Sequence, residues 1–152
     1  MTGSALAKEM VDAAFLRRLA RAISDQILGA DSPLLAPVLA GEGLALMNDG
    51  NLGLASQGLE RAVHLLAACA ECKFQLAIAE SNLGSLRLRR REYGQADKLL
   101  TDALAIMQEQ SAPQAGADRA ATMRLLAEVR EKQKRHADAG ALRTQAASIL
   151  DR

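Results

Sequence analysis

The chain has 152 residues, of which 49% are hydrophobic and 24% charged, and its formal net charge is +1. This length fits one domain with a sizeable core, and the apolar content argues against disorder. Because the charge is balanced, nucleic-acid binding driven by the charge of the whole domain is not indicated. Alanine and leucine together fill more than a third of the positions, aromatic residues make up 2%, and prolines number 3, so long helices are favoured and a β-sandwich or parallel sheet is not expected.

Targeting segments are not expected either. No run approaches the ~20 apolar residues of a membrane span. Glu9 and Asp12 stand where the apolar block of a secretory signal would be. We therefore expect a soluble, cytoplasmic protein, and two cysteines do not make a secreted disulfide framework.

The first predicted helix spans residues 5–28 and ends at Gly29. One apolar stripe runs along it, formed by Leu16, Leu19, Ala20, Ile23 and Ile27. We expect this helix to act as an N-terminal cap that covers the open face of the first helix hairpin.

A helix start signal follows, with Ser32 as the expected N-cap and Pro33 at the first helical position. Six further helices are predicted, over residues 33–48, 52–68, 73–90, 93–109, 117–133 and 136–150. Segment 111–118, SAPQAGAD, is the only long stretch of small and polar residues, so it is predicted to be a flexible loop.

Three stretches of the chain repeat with a period of 41 and then 43 residues. The recurring positions are Gly43, Gly84 and Ala127; Leu52, Tyr93 and His136; Ala55, Ala96 and Ala139; and Ala62, Ala103 and Ala146. Two antiparallel helices approach closely only where side chains are small. We therefore expect Gly84 to meet Ala96 at a helix crossing, with Tyr93 beside it and His136 as the equivalent packing residue.

The middle copy, with Asn82-Leu83-Gly84, Glu92-Tyr93, Ala96 and Ala103-Leu104, resembles the tetratricopeptide repeat. Its period of about 40 residues is similar to the longer, kinesin-light-chain-like variety. The glycine usual before the turn is Gly50 in the first copy but Arg91 and Lys134 in the others. The resemblance implies an all-α, right-handed superhelix of helix-turn-helix repeats. One domain would span 1–152, with the capping helix at 5–28 and repeats at 33–68, 73–109 and 117–150.

In tetratricopeptide proteins the first helices of the repeats line a concave groove for a peptide or partner helix, and the resemblance implies the same groove in this chain. Asn82 matches a frequent groove asparagine whose amide both donates to and accepts from a peptide backbone, and Arg89 is expected to pair with a ligand carboxylate. The partner-binding residues implied are Leu44, Asn48, Ile78, Ser81, Asn82, Ser85, Arg89, Arg124 and Glu128. Gly41 and Leu125 replace Asn82 in the other copies, which puts extended-peptide capture in doubt and leaves a helical or folded partner open.

No motif indicates catalysis or a cofactor. His64 and His136 lie in no recognised arrangement with a Ser or Cys nucleophile. Cys69 and Cys72 form a single CxxC pair, whereas a tetrahedral zinc site needs four ligands and a thioredoxin-type role expects a βαβ context. We interpret both cysteines as small apolar residues that pack at a buried junction between hairpins.

Four arginines, Arg87, Arg89, Arg90 and Arg91, form the densest charge cluster of the sequence. Two interpretations remain open. The cluster fits a solvated helix end, where cations interact favourably with the helix dipole, and it also fits a site for an acidic peptide segment. Aromatic residues for stacking on bases are missing, which disfavours nucleic acid.

The predicted function is a non-enzymatic protein–protein interaction module, an adaptor, scaffold or chaperone-like assembly factor that needs no cofactor. Two alternatives stay open: a structural homo-oligomer, and a thiol- or metal-responsive helical protein that uses Cys69 and Cys72. No helix follows the last one to cover its apolar side chains, so that helix is expected to contact a second copy of the chain in a homodimer. The residues expected in this contact are Leu142, Ala146, Ile149 and Leu150.

Overall fold

The computed structural model describes residues 18–109 and 113–151, with side chains of the second range from residue 115 onward. The described residues form α-helices joined by short turns. These helices are α1 (18–28), α2 (Ala36–Asn48), α3 (Leu52–Ala67), α4 (Lys73–Arg89), α5 (Tyr93–Gln108), α6 (Pro113–Lys132) and α7 (His136–Leu150), and a 3-10 turn, Pro33–Leu35, precedes α2. No helix of the described ranges is long and apolar enough to cross a membrane.

Most helix boundaries agree with the sequence prediction. The hydroxyl of Ser32 accepts a hydrogen bond from the amide of Leu34 at 3.3 Å, and Pro33 follows it at the first helical position. The exception is α6, which begins at Pro113 instead of residue 117. Proline suits a first helical turn because the N–H groups of that turn have no acceptor within the helix, so a residue without an N–H loses no hydrogen bond there. Most of the predicted loop 111–118 is therefore helical.

Three helix hairpins, α2–α3, α4–α5 and α6–α7, follow one another along the chain. Each second helix contacts the first helix of the next hairpin, and α4 also contacts both α2 and α6. Each hairpin turn contains one residue in the left-handed region, at Gly50 (φ 81°), Arg91 (φ 62°) and Lys134 (φ 63°). The turn geometry is therefore kept at the two positions where glycine is replaced.

The recurring small residues lie at the centre of the hairpins. Ala55, Ala96 and Ala139 are fully buried, as are their later counterparts Ala62, Ala103 and Ala146. A Cβ atom added at Gly84 would lie 2.7 Å from the Cγ atom of Leu100, and one added at Gly43 would lie 2.8 Å from the Cγ atom of Leu59. The three atoms nearest to a Cβ at Gly84 all belong to Leu100, so Leu100 is a crossing partner of Gly84, and a further contact of Gly84 with Ala96 stays a prediction.

The described part of α1 presents its polar side to the first hairpin. Arg21 pairs with Glu42 of α2 at 3.4 Å, and Asp25 pairs with Arg61 of α3 at 3.3 Å. The apolar stripe faces solvent instead, with Leu19 44%, Ile23 46% and Ile27 76% exposed. The prediction that this stripe covers the hairpin is therefore wrong for residues 18–28, and Leu16 lies outside the described residues.

Two predictions for the last hairpin also need correction. His136 is exposed, and its Nδ1 atom lies 2.6 Å from Oε1 of Glu131, so it does not pack as Tyr93 does. Leu142 and Ala146 are buried against α6, and Ile149 is partly buried. Of the side chains expected to form a self-association surface, only Leu150, at 48% exposed, is openly accessible.

Candidate partner-binding face

The first helices of the three hairpins, α2, α4 and α6, lie side by side, and two grooves run between them. The first, here the apolar groove, has a volume of about 410 Å³ and lies between the Pro33–Ala40 segment and α4. The second, here the polar groove, has a volume of about 500 Å³ and lies between α4 and α6. Helix α4 forms a wall of both, so the two grooves are neighbours along one face.

The apolar groove is lined mainly by hydrocarbon. Its residues on α4 are spaced by four along the helix, which places Phe74, Ile78 and Asn82 on one side. Asn82 contributes one of the few polar groups of the wall. The remaining lining residues are Pro33, Leu34, Ala36, Pro37, Ala40, Leu66, Cys72, Gln75 and Ala79.

The polar groove contains charged side chains from both helices and from the turn after α4. Its cations are Arg89, Arg91 and Lys132, and its one acid is Glu128. The ion pairs among the described residues include none of three of these side chains, namely Arg91, Lys132 and Glu128. The remaining lining residues are Ser85, Leu88, Tyr93 and Leu125. The groove therefore carries an excess of positive charge.

The structure brings five of the nine predicted partner-binding residues to these two grooves. Ile78 and Asn82 line the apolar groove, and Ser85, Arg89 and Glu128 line the polar groove. Asn48 and Arg124 are exposed but line neither groove.

The other two predicted residues face a neighbouring helix. Ser81 is buried, and its hydroxyl lies 2.9 Å from that of Thr122 on α6. Leu44 is partly buried against the core cluster that contains Leu59 and Met47. The prediction that Ser81 contacts a partner is therefore wrong, because its hydroxyl is used in a contact between α4 and α6. Leu44 lines neither groove, and a partner contact at its exposed part stays a prediction.

The arginine cluster is largely committed to contacts within the chain. Arg89 donates a hydrogen bond at 2.7 Å to the carbonyl of Met47 at the end of α2. Arg87 pairs with Glu60 and, at 2.7 Å, with Glu92, while Arg90 pairs with Glu92 at 2.8 Å. Of the four arginines, Arg91 is the one without such a contact in the described residues.

The two cysteines are joined by a disulfide bond, with their Cα atoms 5.3 Å apart. Both side chains are partly exposed, whereas we expected two buried packing residues. Cys72 lies at the N-cap of α4 and lines the apolar groove. The described residues contain no group of three or more His, Cys, Asp or Glu side chains arranged to hold a metal ion.

One carboxyl of α4 has a displaced pKa. The pKa of Glu80 is raised from its ordinary 4.5 to about 7, mainly by burial and next by the nearby charge of Asp102. The charge of Lys98 lowers this pKa by less. The Oε2 atom of Glu80 is buried and accepts no hydrogen bond from the described residues. Glu80 lines neither groove, so this displaced pKa concerns the stability of the fold.

Sequence reasoning missed several residues of the grooves. Phe74, Pro37 and Leu34 line the apolar groove. The spacing of four residues from Phe74 to Ile78 and again to Asn82 was a usable signal for Phe74. Pro37 and Leu34 carry no comparable spacing signal.

Comparisons with known proteins bear on the fold. No protein-family model matches the chain, and no curated protein matches it. A chain of the crystal structure of BtubC (BKLC) from P. vanneervenii is similar over 95% of this chain, with a TM-score of 0.82 and 22% sequence identity. This chain spans 57% of the length of that chain. The three hairpins and this structural similarity confirm that the chain has an all-α, tetratricopeptide-like helical repeat fold.

Proposed function

We propose that the chain is a non-enzymatic protein-interaction module that binds a segment of a partner protein along α4. The observation that carries this proposal is the position of the apolar groove directly beside the polar groove on one helix. The similarity to a helical repeat fold supports an interaction role in general, and the two grooves support α4 as the helix that the partner contacts.

The apolar groove would take one or two apolar side chains of the partner. Phe74, Ile78 and Leu34 offer hydrocarbon surface, and burying apolar area releases about 25 cal/mol per Å². Asn82 lies at the same wall and offers both a donor and an acceptor to a peptide group of the partner. This pairing of hydrocarbon with one polar group is typical of a binding site that also fixes orientation.

The polar groove would take the acidic part of the same segment. Arg91 and Lys132 have no carboxylate partner among the described residues, so they are free to meet one from the ligand. Arg89 keeps further N–H groups beside the one that it donates to Met47. From Ile78 to Arg89 the helix rises by about 16 Å, the length of about eleven residues of a partner helix.

A site-specific crosslinking experiment tests where the partner binds. A photoreactive amino acid is placed at Gln75, which lines the apolar groove, and in a second protein at Gln95, an exposed glutamine of α5. We expect one and the same partner to be crosslinked from position 75 and not from position 95 in lysate of the source cells. Equal crosslinking from both positions would contradict the proposal.

The purified partner is then titrated against variants of the groove. Ile78→Asp and Asn82→Ala should each weaken binding at least tenfold. Asn82→Ala should leave the thermal midpoint nearly unchanged, whereas Ile78→Asp should lower it, because Ile78 packs against the buried cluster of Ala77, Ala103 and Met107. Binding is therefore measured well below both midpoints. Thr101→Asp, an exposed position on α5, serves as the control and should bind like the wild type. Unchanged affinity of Ile78→Asp would place the partner elsewhere.

A further inference from the structure

The disulfide bond lies at the border of the apolar groove. Cys69 belongs to the turn after α3, Cys72 is the N-cap of α4, and the turn between them is also closed by a backbone hydrogen bond from the amide of Cys72 to the carbonyl of Cys69 at 3.1 Å. The bond therefore fixes the start of the helix that forms a wall of both grooves.

Cys72 belongs to the groove and to the core beneath it. Its side chain lines the groove together with Phe74 and Leu66, and it packs against the cluster that contains Leu66 and Leu35. Any change at this sulfur atom is therefore a change in the wall that a ligand contacts.

We propose that the Cys69–Cys72 disulfide controls the apolar groove, so that the oxidised protein binds the apolar side chains of the partner segment and reduction weakens that binding. This inference rests on the proposed function of the groove, and it assigns a regulation to that same site.

The reduction needs an external thiol, of the glutathione or dithiol class. Its thiolate attacks one sulfur of the bond and forms a mixed disulfide, while the other cysteine leaves as a thiolate. A second thiol resolves the mixed disulfide, so the reductant becomes a disulfide and the chain gains two electrons and two protons as two thiols. Both cysteine side chains are partly exposed, which gives the reductant access.

Reduction alters the groove for two physical reasons. Sulfur atoms that are no longer bonded separate to contact distance, so the Cys72 side chain changes its position in the wall. Reduction also gives the Cys72 sulfur an S–H bond, a weak donor that the hydrocarbon wall does not pair, and this lowers the affinity for an apolar ligand.

The fold itself does not depend on this bond. A loop of so few residues gains little from closure, and Leu65 and Leu66 are buried at the same junction. Reduced and oxidised protein should therefore share one structure outside the turn, which makes a direct comparison of their binding meaningful.

The test uses the full chain and Nile red, an uncharged apolar dye, as the probe. The dye is titrated against air-oxidised protein, against protein in excess dithiothreitol, and against Cys69→Ser/Cys72→Ser. We expect the oxidised protein to bind at least threefold more tightly than the reduced protein, and the double variant to bind like the reduced protein whether or not dithiothreitol is present. Thiol counting by alkylation and mass spectrometry should find no free thiol before reduction and two afterwards.

Ile78→Asp separates the two proposals. If it abolishes dye binding while oxidised and reduced wild type bind equally, the groove is confirmed as an apolar site and the redox control is refuted. If Ile78→Asp leaves dye binding unchanged, the apolar dye binds elsewhere and not in the groove, which refutes both the groove as an apolar site and its redox control. Two free thiols in the air-oxidised protein would also overturn the control.

Discussion

Replacement of Gly84 by alanine tests the close helix crossing on which the middle hairpin depends. The added Cβ atom would lie 2.7 Å from Cγ and 2.8 Å from Cδ2 of Leu100. Leu100 is fully buried, and the clash involves its branch point as well as its tip, so rotation of a terminal methyl group does not relieve it. Either Leu100 or the α4 backbone has to move.

Two opposing contributions decide the change in the free energy of unfolding. Alanine is favoured over glycine inside a helix by about 0.8–1 kcal/mol. Overpacking of a filled core costs about 1–3 kcal/mol. We therefore expect Gly84→Ala to destabilise the protein by up to about 2 kcal/mol. Gly41→Ala in α2 should stabilise it by up to about 1 kcal/mol, because no atom lies within 4 Å of a Cβ atom at Gly41.

Urea denaturation followed by circular dichroism measures both variants. The decisive comparison is made in the Leu100→Ala background, where the cavity left by the leucine accepts the new methyl group. There Gly84→Ala should become stabilising, as Gly41→Ala is in the wild type. If Gly84→Ala stabilises the wild type as much as Gly41→Ala does, the close approach of Gly84 to Leu100 does not exist.

Three further predictions concern single side chains. The folded state holds the Glu80 proton up to a pKa of about 7, whereas the unfolded state loses it near 4.5, so the stability of the wild type falls as the pH rises between these values. Glu80→Gln should therefore raise stability at pH 8 by about 1–2 kcal/mol and make stability depend less on pH. Lys134→Gly should raise the free energy of unfolding by about 0.5–1 kcal/mol, measured in thermal melts. Position 134 has a φ of 63°, in the left-handed region, which is less favourable in free energy for a residue with a Cβ atom than for glycine. Ser81→Ala should cost about 1 kcal/mol in urea denaturation, because it removes the hydrogen bond to buried Thr122.

Each of these predictions has a matched control. A pH profile of Glu80→Gln as steep as that of the wild type would show that another group titrates. Gly50→Ala places a side chain at the equivalent position of the first turn (φ 81°) and should destabilise by about 1 kcal/mol, opposite in sign to Lys134→Gly. The double variant Ser81→Ala/Thr122→Val should be less destabilised than the sum of its single variants, and strict additivity would argue against the hydrogen bond.

The positions of the helices and their register could be predicted from the sequence. The repeat of small residues identified Ala55, Ala96 and Ala139 as buried, because a helix face that packs closely on another helix tolerates only small side chains. Ser32 and Pro33 marked a helix start through local hydrogen bonding and a fixed φ angle, which need no distant partner. These features depend on residues close to one another in the chain.

The division of each helix face between a neighbouring helix and a partner protein could not be predicted. Ser81 and Asn82 are adjacent in sequence, yet Ser81 is bonded to Thr122, 41 residues away, while Asn82 lines a groove. Arg89 had the charge of a ligand contact, but it also binds the carbonyl of Met47 in the previous hairpin.

The same limit applies to α1 and to the cysteines. An apolar stripe predicts that a helix packs on something, but the ion pairs of Arg21 and Asp25 with the first hairpin turn this stripe outward. The spacing of Cys69 and Cys72 permits a disulfide but also permits two separate packing residues, and the turn between α3 and α4 is what brings the sulfur atoms together. The sequence alone therefore determined the helices, their order and their small-residue contacts. Only the tertiary structure decided which side chains remain available to a partner, because that depends on contacts between hairpins about 40 residues apart in the chain.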